Sequence, residues 1–212
     1  MKTIKTFNKD KYDKREWIRL INCLSGFKSV NLVGTVNKAG EENLSVISSF
    51  FHLGANPPLM GFVVRPHSNK SPRHTLINLQ ELGFYTLNAV TKKNHIKGHQ
   101  ASARYPKNVS EFEAIGLKSI YKNDFKAPYV EESTLQVGFK LVEVMDIKHN
   151  GTHIVIGEIV ELHLEESMVQ DDGFIDLEAG EVLALSGLDS YHETKSIHRL
   201  SYAKPDQKIE EI

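Results

Sequence analysis

The stretch from Leu135 to Leu164 constrains this chain most. In LQVGFKL, residues 135–141, Leu, Val, Phe and Leu alternate with Gln, Gly and Lys, the period-two pattern of a half-buried strand. The apolar phase shifts at Leu141 and Val142, as a β-bulge would make it do. Asn150 and Gly151 follow, a pair suited to a two-residue hairpin turn. The return run HIVIGEIVELHL puts Ile154, Ile156, Val160, Leu162 and Leu164 on one face. A long hairpin of this kind commits the chain to an antiparallel sheet.

The flanking segments fit around such a sheet. Residues 13–24 place Trp17, Leu20, Ile21 and Leu24 at helical spacing, ended by Gly26, which predicts an amphipathic helix. SVNLVGTVN alternates as a strand, with Val30, Leu32 and Val36 on one face and Asn31 and Thr35 on the other. Strands are expected at 44–51 and 59–65 around the two prolines. A helix is expected from Ser71–Pro72, where Ser caps and Pro suits the first position, to about Leu82 with Gly83 as stop. FYTLNAV, 84–90, reads as a strand and 94–104 as a short helix. Ser110 to Glu113 has the form of a capping box opening another helix, stopped by Gly116. Residues 165–199 read as acidic loop with one apolar run at 182–188.

Many short strands with few helices predict a mainly β chain, an antiparallel barrel with helical insertions. Regular strand–helix alternation is missing, which argues against a doubly wound sheet. Neither GxGxxG nor a Walker loop occurs in the sequence, so the standard nucleotide cradles do not apply. The 212 residues suit one domain: a core of about 25–165, the helix at 13–24 and an extension at 166–212. With 26 Lys+Arg against 27 Asp+Glu, nothing calls for nucleic acid or an anionic membrane surface. Cys23 is the single cysteine. That leaves no intrachain disulfide and no thiolate zinc cluster, and its apolar helical setting predicts a buried thiol. His95 and His99 have helical i, i+4 spacing without the Glu of an HExxH motif, so an exposed pair is expected and no metal. The polar N-terminus and the lack of a bilayer-length apolar run predict a cytoplasmic protein.

NLSVISSFFHLGANPPLMGFVVRP, residues 43–66, is the unusual stretch. Ser45, Ser48 and Ser49 are small enough to let a ligand reach the backbone, and Ile47, Phe50 and Phe51 offer apolar walls, as a flat heteroaromatic ligand requires. Arg65 ends the next strand, and its guanidinium fork suits phosphate. Soon after comes a helix start carrying Arg73, His74 and Thr75, where unpaired amides and the dipole favour an anion. A planar ring with a phosphate at one end, such as flavin mononucleotide (FMN), has the matching shape. A buried strand with tolerated serines and a helix start that happens to be basic fits the same residues.

The order of these pieces resembles the flavin reductase-like family, the FMN-binding split barrels. The resemblance covers about residues 25–165. It is carried by LVGTVNKAGEENLSVISSF, ANPPLMGFVV, Arg65, the Thr of RHTLINLQELG, FYTLNAV, EFEAIGL, Pro128 with Glu131 and Glu132, and NGTHIVIGEIVEL. It implies a six-stranded antiparallel Greek-key split barrel that forms homodimers with FMN near the interface. Asn43, Leu44, Ser45, Val46, Ile47, Ser48 and Ser49 would line the ring and ribityl chain, largely through backbone groups. Arg65 and Thr75 would bind the phosphate, with His74 beside them where many relatives carry an acid. It also implies an FMN-dependent oxidoreductase, most simply one in which NAD(P)H passes hydride to flavin N5 for an unidentified acceptor. Many relatives have Gly-Asp-His before the strand ending in Ile-Gly-x-Val, its His associated with nicotinamide. Here Thr152 takes that place and His153 is one position off. This departure leaves two alternatives: an FMN-binding electron carrier that does not use NAD(P)H directly, and a flavin-less barrel that serves as a binding module. Tyr191 matches an aromatic position from which it would cover a ligand or pack on the barrel.

Overall fold

A computed structural model describes residues 3–67 and 72–212. In chain order it has α1 (Lys14–Cys23), β1 (Lys28–Ser29), β2 (Asn31–Val36), β3 (Glu42–Ile47), β4 (Phe51–Ala55) and β5 (Pro58–Val64). There follow α2 (His74–Leu82), β6 (Phe84–Ala89), α3 (His95–Gln100), α4 (Glu111–Ile115), β7 (Ser119–Ile120) and β8 (Tyr129–Val130). The chain ends with β9 (Leu135–Ile147), β10 (Thr152–Leu164), β11 (Ala184–Ser186) and β12 (Ser190–His192).

The main sheet has seven antiparallel strands in the order β3-β2-β6-β9-β10-β5-β4. β3 and β4 lie at opposite edges of that order, yet only residues 48–50 join them. Edges tied by so short a segment stay near each other, so the sheet curls into a barrel that is split between them, β3 pairing with β2 alone. Ser49 extends the β4–β5 pairing into that split: its hydroxyl donates to the Val63 carbonyl at 3.1 Å and accepts the Val63 amide at 3.0 Å. The single strand expected at 44–51 is thus broken at 48–50, and six expected strands become seven. The mainly β class holds.

The barrel is filled by Val33, Phe62, Tyr85, Leu87, Val137, Phe139 and Val155. Helix α2 plugs one end with Leu76 and Leu79, and buried Asn78 donates to Thr35 at 3.3 Å. The helix begins later than expected, at His74, with Arg73 as N-cap residue and no side-chain cap. The expected cap, Ser71, lies outside the described residues. Gly83 closes it in the left-handed region at φ 73°, where glycine carries no Cβ penalty. A second cluster packs on the outer face of β2 and β3: Val30, Leu32, Leu44, Val90, Phe112, Ile115, Leu183 and Leu185. β11 and β12 join β1 in a small sheet, so the C-terminal extension is built onto the barrel rather than left as an acidic loop.

The long hairpin holds with two corrections. Ile156 pairs with Glu143 and Gly157 with Leu141, so Val142 is the extra residue of the expected bulge. A second bulge at Val160 appears, because Ile159 pairs with Phe139 and Glu161 with Gly138. It resets the strand's phase: before it Val155 and Ile159 face the barrel core in place of Ile154 and Ile156, and after it Leu162 and Leu164 pair with Val137 and Leu135. The turn has four residues, not two, since Ile147 pairs with Thr152 and accepts the Gly151 amide at 2.8 Å. Two further corrections concern the ends of helices. Cys23 is exposed, because no residue of α1 is buried in the described chain. Ser110 makes no cap to α4. Its hydroxyl is buried without a partner.

Tyr85 supplies a test of the core. Its ring stacks on Phe139 at 5.0 Å and its fully buried hydroxyl, aimed at Gly157, has no partner among the described residues. A buried unmade hydrogen bond costs free energy, and burial drives the phenol's pKa upward. Tyr85→Phe is therefore expected to leave thermal stability unchanged or raise it by about 1 kcal/mol. A fall of several degrees in Tm would mean that the hydroxyl has a partner after all.

Candidate functional site

The site is assembled where the β3 edge meets the start of α2. Leu44 sends its amide away from β2, to the Glu111 carboxylate at 3.0 Å. Peptide groups alternate along an antiparallel strand, so the amide and carbonyl of Val46 also point off the open edge. Ser45, Val46, Ile47, Ser48 and Ser49 are all half-buried, neither sealed inside nor splayed into solvent. Leu44's side chain is committed to the outer cluster and Val46 packs beside it. Ile47 and Phe50 lean on the barrel core. Phe51 covers Gly61.

On the other face of β3, Asn43 and Ser45 meet the helix. Asn43 Nδ2 donates to the Thr75 hydroxyl at 3.1 Å, and the Ser45 and Thr75 hydroxyls share a bond at 2.8 Å. Asn43 and Thr75 are buried, so this trio is a fixed polar anchor with half-buried Ser45 as its most accessible member. His74 opens the helix half-buried, and burial holds its imidazole below the usual pKa, with Lys107 adding to the effect.

Positive charge collects beside that anchor. Arg73 Nε donates to the Pro66 carbonyl at 3.2 Å, and its amide donates to His67 Nδ1 at 3.1 Å. This ties the helix start to the residues that follow Arg65. Burial, then the charges of Arg65 and Arg104, hold the Arg73 guanidinium below its ordinary pKa. None of these three arginines has a carboxylate partner among the described residues, and residues 68–71 contain no Asp or Glu. Arg104 was not among the residues that sequence reasoning singled out. It stands far from Arg65 along the chain, and only folding brings their charges together.

His153 and Tyr191 are also placed. His153 shares a strand face with fully buried Val155, Thr152 takes the opposite face, and His153 Nδ1 lies 2.7 Å from Asp146. Tyr191 sits over the two helical histidines: its hydroxyl is 3.0 Å from His99 Nδ1 and its ring 5.5 Å from that of His95. Among the described residues no group of three His, Cys, Asp or Glu is placed to hold a metal, and no helix is long and apolar enough to cross a membrane.

Comparison with known proteins decides the family. Residues 24–178 match the flavin reductase like domain. The chain belongs to the flavin reductase-like family. It is accordingly an oxidoreductase that works with a flavin. A split-barrel protein from Shewanella frigidimarina assigned as a flavin reductase is 48% identical, with a TM-score of 0.89 over 94% of this chain and 100% of that one. Nitrilotriacetate monooxygenase component B from Bacillus cereus is 20% identical, with a TM-score of 0.83 over 94% and 100%. Flavoredoxin of Desulfovibrio vulgaris is 21% identical, with a TM-score of 0.69 over 85% and 92%. The last two are likenesses of fold.

Proposed function

We propose that this family member binds FMN and acts as an NAD(P)H-dependent flavin reductase, passing electrons to a second acceptor. The observation that carries the reading is the Asn43–Ser45–Thr75 anchor at the start of α2, beside Arg73, whose side chain is tied to Pro66 next to Arg65 and which feels the charges of Arg65 and Arg104 with no carboxylate partner among the described residues. Guanidinium groups brought together repel one another, and a phosphate monoester offsets that repulsion with charge-assisted bonds. The residues fit the remainder of the molecule as well. Val46's outward peptide groups can bond the polar edge of a ring, and Ser45 and Ser48 leave room for close approach. When bound, a flavin supplies two-electron redox chemistry, taking hydride from a reduced nicotinamide. The chain's own residues bind and orient: Arg65 and its neighbours hold the phosphate, the β3 edge fixes the ring, and Ser45 lies between them. None is required as an acid or base for hydride transfer.

A second reading, a flavin-binding electron carrier without direct NAD(P)H use, is favoured by His153 being turned to the barrel side and bonded to Asp146. Stopped-flow mixing of the FMN-loaded protein with excess NADH or NADPH separates the two. Fast bleaching of the flavin band is expected. Bleaching no faster than free flavin would leave the carrier reading.

We propose further that the chain acts as one unit and works as a homodimer. Ile18, Ile21, Leu24, Phe27, Val142, Met145 and Val160 are exposed in the single chain, apolar surface that a second copy could cover. Sedimentation should give about twice the 24.0 kDa chain mass; a stable monomer at micromolar concentration would refute this.

A further inference from the structure

We infer that Glu111 is a positioning residue for the flavin: from α4 it grips the open edge of β3 and so sets where that strand presents its next free peptide to a ligand. The inference rests on the flavin reading above.

Glu111 is the only acidic residue in the buried set of the described chain. Burying a carboxylate is costly unless it is well bonded. Its bonds here are to peptide groups, the Leu44 amide at 3.0 Å and its own amide. Its place in the first turn of α4 suits an acid as well, but that alone would not call for a buried one. Helix α4 is five residues long and its preceding Ser110 makes no cap, while Phe112 and Ile115 already fasten it to the outer cluster. What the carboxylate does is hold an edge strand. β3 pairs with β2 alone, and an edge strand has one whole side of peptide groups unpaired. Among these, Glu111 occupies the one at Leu44 and leaves the next, at Val46, open. The Leu44–Gly34 and Val46–Leu32 pairs are then the non-bonded pairs of the ladder, while Ser45 and Ile47 bond to β2. A shift at Leu44 would therefore move Val46, two residues on, and with it the donor and acceptor offered to a ring. Glu111 shares a small cavity with Asn43 and His74 at the start of α2, but it makes no hydrogen bond or ion pair to Arg65, Arg73 or Arg104 among the described residues, so its effect should fall mainly on the ring.

Fluorescence titration of wild type, Glu111→Ala, Glu111→Asp and Glu111→Gln with both riboflavin and FMN tests this. Glu111→Ala is expected to weaken the two ligands alike, by about tenfold. Glu111→Gln should stay within about twofold of wild type, because an amide oxygen accepts the same bond. Glu111→Asp should fall between, its carboxylate withdrawn by one methylene. Unchanged affinity in Glu111→Ala would overturn the inference and reduce Glu111 to a stabilising contact. So would Glu111→Gln as weak as Glu111→Ala, since charge rather than the bond would then matter. If Glu111→Ala does not fold, the order of the other two decides: Gln above Asp supports the role and the reverse refutes it. A wild type that binds neither ligand removes the flavin reading itself, and this inference with it. A wild type that binds while Glu111→Ala is unaffected removes only this inference.

Discussion

Arg65→Ala is expected to weaken FMN binding by about 30- to 100-fold while leaving riboflavin within about twofold of wild type. The difference between these ligands is the phosphate alone. A hydrogen bond to a charged group is worth about 1.5–3 kcal/mol, and Arg65 is an exposed residue at the end of β5 that half-buried Arg73 cannot simply replace. Arg73 is fixed by its bond to Pro66, so its guanidinium has little freedom to move into the vacated place. Arg104 should respond in the same direction with a smaller effect, since it is exposed and approaches from another element. Equilibrium titration of both flavins checks this. Equal weakening of FMN and riboflavin by Arg65→Ala would deny the phosphate role and move the anion site elsewhere.

The largest expected effect on stability is at Gly34. This glycine sits mid-strand in β2, and a Cβ there would collide with the Pro128 carbonyl oxygen and come within 2.6 Å of the Thr86 hydroxyl. Those two atoms are bonded to each other at 2.5 Å, so the obstacle is backbone pinned by a buried side chain and cannot swing aside. Gly34→Ala should cost about 3 kcal/mol, the upper part of the range for overpacking, and lower Tm by roughly 6–12 °C for a chain of this size. Gly54→Ala is the control. Its Cβ would meet only the Pro57 carbonyl at 3.6 Å, ordinary contact, and it should stay within about 1 kcal/mol of wild type. Thermal unfolding at fixed protein concentration distinguishes them. A Gly34→Ala protein melting within a degree or two of wild type would mean that β2 does not pass so close to the 126–130 segment.

Much of this architecture could be read in the chain because it is written locally. Alternation in residues 135–141 and the phase shift at Val142 follow from side chains that face opposite ways two by two, and the folded hairpin keeps both. Gly83 and Gly116 end their helices for reasons contained in one residue. The features that were not legible depend on distant partners. Strand 44–51 breaks at 48–50 because the chain crosses there from one edge of the curled sheet to the other, where Ser49 bonds Val63 on β5. Val160 bulges to keep the pairing with β9, which changes which apolar residues of β10 face inward. Ser110 and Glu113 have the spacing of a capping box, yet Ser110 makes no cap, and Glu111, which that pattern does not use, reaches the Leu44 amide on the distant edge of β3. Cys23 and the apolar face of α1 read as core, and the single chain leaves them at the surface. At the site, the serines and Arg65 were visible as a pattern, while the meeting of Arg65, Arg73 and Arg104 is a product of folding.

The most direct measurement is titration of the purified, flavin-free protein with FMN, followed by flavin fluorescence and the visible spectrum. Saturable binding of one FMN per chain, with the bound flavin's absorption bands shifted from those of free FMN, is the expected result. A protein that remains colourless and takes up no FMN at any practical concentration would contradict the grip of β3 and the arginine cluster on a phosphorylated flavin.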